Sequence, residues 1–380
     1  MINELFSVIG SNLEKYTEFL KDICCFETPT REKQDVDKMV DFISDFAKSE
    51  GFSVKRTRFE KCGDFLTVDI NEGNEKGHVF LAHMDTVHKK GAFGYPPAKY
   101  DGEKLIGPGT IDCKGGIAIS LLAMKALMEC GFEKHTRLIL TSDEEISNVL
   151  GGQAEMDFFE STTKGFKSAL NCETTRGNEV VVSRKGIIRL EMEIHGKGGH
   201  SGIDYFNCKS AVREAAYKIV ELEKNSKVGG TTYNCGVING GTVANIIPEK
   251  CNLIVDVRVV DLESFDGAFE FVKKIAETDF TGGTSTELRL VSRRLPMMYN
   301  DDTRKLFDKM QKISLKYDLG ELVPEMSGGG SDSAYTQKFG VPSLCGLGGS
   351  GDFFHTDKEY INLYSIEQRA KLLSAFCAEY

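Results

Sequence analysis

The sequence predicts an α/β fold in which a mixed sheet lies between helices. A smaller α+β unit of the ferredoxin-like type is inserted into this larger domain. Short apolar runs alternate with helical patterns through the first part of the chain, as in a sheet covered by helices on both faces. The pattern changes near Val180, after which elements follow in the order strand, helix, strand, strand, helix, strand. Patterns like those of the first part resume at Asp301.

Each element of the first part is predicted from its own spacing of apolar residues. Helical spacing runs through the first fifty residues and is interrupted at Thr28-Pro29-Thr30, where Thr30 is the expected N-cap of the second helix. Short apolar runs predict strands at 65–70, 79–82, 137–141 and 168–171, and an apolar helical pattern predicts a helix at 116–128.

The middle of the chain has the alternation that is typical of half-exposed strands. Apolar and charged residues alternate over 187–194. Further strands are predicted at 232–238, 252–260 and 284–291, with helices at 209–224 and 262–278. We therefore expect a discontinuous larger domain, residues 1–180 and 293–380, and an inserted smaller domain, residues 181–292.

Composition excludes several classes of protein. The apolar content of 41% and charged content of 27% are ordinary globular values, which excludes general disorder. A net charge of −10 argues against nucleic acid or an anionic membrane as partner. The first residues lack the basic segment of a signal peptide. No apolar run reaches the ~20 residues of a membrane span. The 11 cysteines are an odd number, which argues against a framework of disulfides. We expect a soluble cytoplasmic protein with reduced thiols.

Candidate metal ligands follow three of the predicted strands. His83-Met-Asp85 follows the run 79–82, the acidic residues 143–145 follow the run 137–141, and Glu173 follows the run 168–171. In open α/β sheets, ligands bind outside the carboxyl ends of the strands. Three adjacent acids repel one another unless a cation is nearby, although a solvated acidic turn is the simpler explanation for that segment alone.

Two loops offer further ligands. Asp112 lies between glycines before the helix 116–128, where helix capping is the structural alternative, and His355 follows a glycine-rich loop near the C-terminus. All of these segments can converge at one edge of one sheet. Histidines and carboxylates together suit one or two Zn²⁺ ions, with Co²⁺ or Mn²⁺ also tolerated.

In order and spacing, these motifs resemble the di-zinc family of aminoacylases, glutamate carboxypeptidases, acetylornithine and succinyl-diaminopimelate deacylases and peptidases T. The pattern is most similar to the glutamate carboxypeptidase and peptidase T-like branches and covers nearly the whole chain. The resemblance implies a zinc-exopeptidase-like catalytic domain with an inserted lid and dimerisation domain. The matching segments are Leu81-Ala-His-Met-Asp-Thr-Val, Gly109-Thr-Ile-Asp-Cys-Lys-Gly-Gly, Thr141-Ser-Asp-Glu-Glu-Ile, Cys172-Glu-Thr-Thr, His195-Gly-Lys-Gly-Gly-His-Ser-Gly and Ser327-Gly-Gly-Gly-Ser-Asp.

The resemblance implies a role for each candidate ligand. Asp112 would bridge two Zn²⁺ ions, and the peptide bond that follows it would be cis. The remaining ligands would be His83 and Glu173 on one ion, and Glu145 and His355 on the other.

The resemblance also implies the groups that carry out the reaction. Glu144 would be the general base for a metal-bridging hydroxide. Asp85 would orient the His83 ring and fix its tautomer without binding the metal itself. His200 would donate a hydrogen bond to the oxyanion, in many relatives across a homodimer. Without the resemblance, His200 would be an ordinary turn histidine.

Substrate contacts are expected from the inserted domain and from glycine loops. By resemblance, Arg258 would bind a carboxylate and Asn245 would also contact the substrate; a strand salt bridge with Asp256 is the alternative for Arg258. Gly328, Gly329 and Gly330 present backbone N–H groups that can hold a carboxylate or amide.

The sequence thus predicts an exo-acting amidohydrolase of the carboxypeptidase type, acting on a small substrate with a free carboxylate. Glu173, where related aminopeptidases tend to have aspartate, favours this subtype. An N-acyl-amino-acid deacylase and a di- or tripeptidase remain alternatives. A catalytically inactive relative is a third class, and the presence of Glu144 and His200 argues against it.

Overall fold

The computed structural model describes all residues 1–380, and the chain divides into two compact units. Unit 1 comprises residues 1–183, 299–327 and 331–380, and unit 2 comprises residues 184–298 and 328–330. The first part of unit 1 contains α1 (Ile2–Cys24), α2 (Lys33–Ser49), β1 (Ser53–Thr57), β2 (Phe65–Ile70), β3 (Lys76–His83), β4 (Lys99–Asp101), β5 (Lys104–Ile106), α3 (Lys114–Glu129), β6 (His135–Thr141), α4 (Gly152–Thr163), β7 (Ser168–Asn171) and β8 (Glu179–Arg184).

The remaining elements follow in chain order. Unit 2 contains β9 (Gly186–His195), β10 (Gly199–His200), a 3₁₀ turn (Tyr205–Asn207), α5 (Ala211–Glu223), β11 (Thr232–Gly240), β12 (Ile246–Ile247), β13 (Lys250–Val259), α6 (Leu262–Glu277) and β14 (Ser285–Arg294). The last part of unit 1 contains α7 (Asp301–Lys316), β15 (Val323–Ser327), α8 (Ser333–Lys338), β16 (Ser343–Leu344), β17 (Gly351–Asp352), β18 (Tyr360–Asn362) and α9 (Tyr364–Glu379).

The central sheet of unit 1 is mixed, as predicted. Its strand order is β1-β2-β6-β3-β7-β16. Strands β6, β3, β7 and β16 run parallel, whereas β1 and β2 are antiparallel at one edge. Because β6, β3 and β7 are parallel neighbours, their carboxyl ends lie side by side at one edge of the sheet.

Residues 79–82 of β3 are continuously apolar because both faces of the strand are buried there. Val79 and Leu81 belong to one buried cluster, and Phe80 and Ala82 belong to the other, as the two-residue period of a strand requires. Helix α3 packs against α1 and α9 and is almost entirely buried, which explains its nearly continuous apolar sequence.

Unit 2 has the predicted ferredoxin-like arrangement. Its antiparallel sheet has the spatial order β11-β13-β9-β14. In chain order the four strands are β9, β11, β13 and β14, so the first and the third lie at the centre of the sheet. Helices α5 and α6 pack on the sheet over a core that includes Leu190, Met192 and Val255. The charged residues between these apolar positions lie on the less buried face.

One local prediction is wrong. Helix α2 begins at Lys33 with Glu32 as its N-cap residue and has no side-chain cap, so Thr30 does not cap it. The Thr30 hydroxyl instead donates to Asp85 Oδ2 at 2.8 Å. The hydrogen-bond partner of Thr30 thus lies 55 positions away along the chain and not at the nearby helix end. Sequence spacing does not reveal such a distant contact.

The cysteines and the helices were considered over the whole chain. All eleven cysteines are free thiols. No helix of the chain combines the length and apolar character that a membrane crossing requires.

Gly116 permits close contact between α3 and the strand end that carries Glu173. A Cβ atom at Gly116 would lie 2.1 Å from the Cys172 carbonyl oxygen. We therefore expect Gly116→Ala to lower the free energy of unfolding by about 1–3 kcal/mol, as overpacking does in a dense core. Chemical denaturation measures this change.

Gly10 in α1 provides a matched control, because it is exposed and has nothing within 4 Å of its would-be Cβ. Gly10→Ala should raise the free energy of unfolding by about 1 kcal/mol through helix propensity. Equal effects of the two substitutions would contradict the close contact at Gly116.

Candidate metal centre

Three of the predicted ligand segments lie at the adjoining carboxyl ends of β6, β3 and β7. His83 is the last residue of β3, and residues 144–145 and Glu173 follow β6 and β7 closely. Backbone hydrogen bonds continue past the strands, from Met84 N–H to the Thr141 carbonyl and from Cys172 N–H to the Leu81 carbonyl, both at 2.8 Å. The sheet therefore holds these segments in a fixed register.

The Asp112 carboxylate lies between the two histidines. Its Oδ1 is 3.0 Å from His83 Nε2, and its Oδ2 is 3.1 Å from His355 Nε2. Glu173 Oε1 is 3.7 Å from His83 Nε2, and Glu145 Oε2 is 3.3 Å from His355 Nε2. The structure thus brings all five predicted ligands together, with one oxygen of Asp112 toward each histidine.

These separations fit metal coordination. Ligand atoms bound to tetrahedral zinc at ~2.0–2.2 Å lie roughly 3.3–3.5 Å from one another. The measured separations of 3.0–3.7 Å lie around that value. Imidazole nitrogens and carboxylate oxygens are also the donor types that zinc accepts, so the residues present fit a metal centre.

The electrostatics of the cluster indicate a place for cations. Burial and the neighbouring Asp112 charge raise the pKa of Glu145 to about 8. Hydrogen bonds with Asp112 and Glu145 raise the pKa of His355 to about 11. Burial opposes ionisation of Asp112, yet hydrogen bonds from His355 and His83 lower its pKa. The buried carboxylates are thus compensated by protons on the histidines, and a metal cation can replace those protons.

Asp85 connects His83 to the acidic turn. His83 Nδ1 donates to the backbone carbonyl of Asp85 at 3.0 Å, and the nearer carboxylate oxygen is 3.4 Å away. The carboxylate itself accepts the backbone N–H groups of Glu144 and Glu145 at 3.3 and 3.2 Å. Asp85 therefore contacts the back of the His83 ring, whose Nε2 faces the cluster, and also orients the next ligand segment.

The three adjacent acids after β6 separate into different environments. Asp143 Oδ2 accepts the backbone N–H groups of Leu150 and Gly151, both at 2.7 Å, before α4. Glu145 faces His355, and Glu144 is also buried. Part of the repulsion expected from the sequence is therefore relieved because Asp143 bonds elsewhere.

In unit 2, His200 lies in one of a small pair of strands, and Asn245 directly precedes the other. His200 in β10 pairs with Ile246 in β12, and Ser201 N–H donates to the Asn245 carbonyl at 2.9 Å. His200 is exposed, and its Nδ1 accepts the Gly202 N–H at 3.2 Å. This tautomer leaves a proton on Nε2, which faces away from the turn's own hydrogen bond.

Arg258 is paired within unit 2. Its Nε donates to Asp256 Oδ1 at 2.6 Å, so the strand salt bridge considered as the alternative is present. Its Nη1 also donates to the Gly328 carbonyl at 3.2 Å, and Arg184 Nη1 donates to the Gly330 carbonyl at 2.9 Å. Arg258 thus lies beside the segment Gly328–Gly330, and its substrate role stays a prediction.

Cys113 is closer to the centre than the sequence suggested. The Asp112–Cys113 peptide bond is cis, as the resemblance implied. The Cys113 sulfur lies within 4.8 Å of ligand atoms of His83 and Glu173. Its thiol donates to the Cys172 carbonyl at 3.2 Å. Its position directly after a predicted ligand was the available signal, but the direction of its side chain depends on the fold.

Histidine and carboxylate donors gathered at the carboxyl ends of a mixed sheet define a candidate metal-binding protein. The sequence profile of peptidase family M20/M25/M40 matches residues 79–379, so the chain belongs to this family. It is therefore a metal-dependent hydrolase that acts on amide or peptide bonds.

Known relatives of the chain span several activities. Carboxypeptidase G2 of Pseudomonas sp. (strain RS-16) is 28% identical over 376 residues, which cover 97% of this chain and 89% of the relative. Succinyl-diaminopimelate desuccinylase of Rickettsia akari is 26% identical and covers 68% of this chain and 73% of its own length. The crystal structure of a Staphylococcus aureus tripeptidase has a TM-score of 0.79 at 20% identity, covering 97% of this chain and 99% of that one.

Proposed function

We propose that the protein is a di-zinc carboxypeptidase that releases a residue with a free α-carboxylate from a small peptide or amide substrate. The observation that carries the hydrolytic part is the Asp112 carboxylate, which offers one oxygen toward each histidine. The similarity to carboxypeptidase G2 over 97% of the chain favours the carboxypeptidase subtype.

The two ions would share Asp112. His83 and Glu173 would complete one site, and Glu145 and His355 the other. Bound zinc supplies Lewis acidity, which polarises the scissile carbonyl and acidifies water. Co²⁺ or Mn²⁺ can replace zinc at such a donor set.

The chain's own residues carry the proton transfers and the binding. The Glu144 carboxylate would accept a proton from the attacking water at its oxygen and later donate it to the leaving amine. The His200 ring N–H would stabilise the negative charge that develops on the amide oxygen. Arg258 would bind the substrate carboxylate, the neighbouring glycines 328–330 would hold a carboxylate or an amide, and Asn245 would contact the substrate.

Deacylation of N-acyl amino acids is the second candidate. It needs the same attack on an amide carbonyl and the same free carboxylate, with an acyl group in place of a peptidyl group. The 26% identity to a succinyl-diaminopimelate desuccinylase favours keeping it. A di- or tripeptidase shares the chemistry and differs in recognising a free amine.

A homodimer formed through unit 2 belongs to this proposal. Strand β11 is an edge strand, and its Val237 and Ile238 are exposed. Helix α5 packs beside β11 and exposes Tyr217 and Val220. Apolar side chains next to unpaired strand edges are suited to contact with a second copy of the chain.

A cytoplasmic location is proposed as well, since all eleven cysteines are free thiols.

A substrate panel tests the proposed activity. The zinc-loaded protein should hydrolyse N-blocked dipeptides with a free C-terminal carboxylate. The C-terminal amides of the same compounds should have a kcat/KM lower by about 100-fold or more, because the charge-assisted bonds to a guanidinium are lost. N-acyl amino acids and free tripeptides in the same panel measure the alternatives. No turnover of any compound would contradict an active enzyme.

Glu144→Gln tests the general base. We expect kcat to fall by about 10²–10⁴-fold, because an amide cannot accept the proton. Metal analysis should still find two equivalents of zinc, since Glu144 is not among the proposed ligands. Glu145→Gln is the matched control and should reduce the zinc content. A Glu144→Gln protein with normal kcat would exclude this residue as the base.

Analytical ultracentrifugation tests the dimer. The protein should sediment with twice the 42.1 kDa mass of one chain. Val237→Glu should shift it toward a monomer because a carboxylate would be buried in the interface. Leu315→Glu, a substitution at another exposed apolar side chain on α7, is the control and should leave the mass unchanged. A wild-type monomer at micromolar concentration would refute the proposed dimer.

A further inference from the structure

A buried carboxylate outside the proposed ligand set holds the backbone of the central ligand. Glu359 has no exposed surface. Its Oε1 accepts the backbone N–H groups of Ile111 and Asp112 at 3.0 and 3.1 Å. Its Oε2 accepts a hydrogen bond from His88 Nε2 at 2.6 Å. One side chain thus uses both oxygens on two segments of the chain.

The groups around Glu359 belong to the three segments that carry His83, Asp112 and His355. Glu359 follows the turns at residues 354–358, which contain His355, and its own N–H donates to the Thr356 carbonyl at 3.2 Å. Its carbonyl accepts the Gly107 N–H at 3.2 Å, at the start of the Asp112 loop.

His88 lies five residues after His83 along the chain. It is itself buried, with its ring edge-on to Phe93 at a centroid distance of 4.9 Å. The His88–Glu359 hydrogen bond therefore ties the segment that follows His83 to the turn that carries His355.

We infer that Glu359, held by His88, is a positioning residue that orients the Asp112 carboxylate between His83 and His355 for metal binding. Two successive N–H groups bonded to one oxygen restrict the orientation of the peptide from which the Asp112 side chain projects. A carboxylate forms stronger hydrogen bonds than a neutral acceptor, and its burial removes water as a competitor. The inference rests on the proposed function for the identity of the ligands.

Unit 2 contains a matched carboxylate that touches none of the proposed ligands. Glu214 is also fully buried and accepts the backbone N–H groups of Phe280 and Thr281 at 3.1 and 3.0 Å. Its partner is the buried Lys218, with Nζ at 3.1 Å. Loss of Glu214 therefore reports what removal of such a carboxylate does to folding alone.

The experiment is a Zn²⁺ titration of the metal-free full-length protein, in competition with a chromophoric chelator. We expect Glu359→Ala to weaken zinc binding by about 10–100-fold, the usual effect of removing a group that supports a ligand. Glu359→Gln keeps a weaker acceptor, and His88→Phe keeps the ring but removes the donor; each should weaken binding by about threefold to tenfold. Glu214→Ala should stay within about twofold of the wild type.

The visible absorption of the Co²⁺-loaded proteins provides a second readout, because it reports the geometry of the ligands. It should change in the Glu359 variants and remain that of the wild type in Glu214→Ala. Wild-type zinc affinity in folded Glu359→Gln and His88→Phe would overturn the inference, even if Glu359→Ala does not fold. An equal loss of affinity in Glu214→Ala would also overturn it. Failure of the proposed function would show separately, as absent turnover of the substrate panel with the affinities still in the expected order.

Discussion

The mutual repulsion of buried carboxylates at one edge of the sheet is the constraint on which the rest of this structure depends. Asp112, Glu145 and Glu173 lie close together around His83 and the half-exposed His355, and the three carboxylates themselves have little access to water. Burial, together with the neighbouring Asp112 charge, raises the pKa of Glu145, because both disfavour a second negative charge there. Such a cluster is stable when a positive charge lies within it, and a metal ion provides that charge more effectively than protons on the histidines.

The fold meets this constraint by bringing distant segments to one edge. Parallel pairing of β6, β3 and β7 places three strand ends side by side, although they are separated along the chain. Gly116 lets the start of α3 approach the end of β7, which carries the segment leading to Glu173. Supporting carboxylates then fix the loops: Asp85 holds the backbone of residues 144–145, and Glu359 holds that of residues 111–112.

The apolar pattern and the motif order were sufficient to predict most secondary structure and the candidate ligands, but not the directions of several polar side chains. Thr30 has the right type and position for a helix cap, yet its hydroxyl bonds to Asp85. Arg258 has an Asp256 partner two residues away, and only the three-dimensional arrangement shows that it also reaches the Gly328 carbonyl. Asp143 looks equivalent to its two neighbours in the sequence, yet it bonds to the backbone before α4.

The sequence by itself determined the class of fold and the supply of candidate metal ligands, because burial on two faces requires apolar strands and metal ions require particular donor types. Only the tertiary structure decided which groups meet. His88 had no role in the sequence, since its partner Glu359 lies 271 positions away along the chain. The two oxygens of Asp112 face different histidines only after the sheet and the turn at His355 have formed. Hydrogen bonds between distant segments depend on how the strands and loops pack, and that packing has no local signature in the sequence.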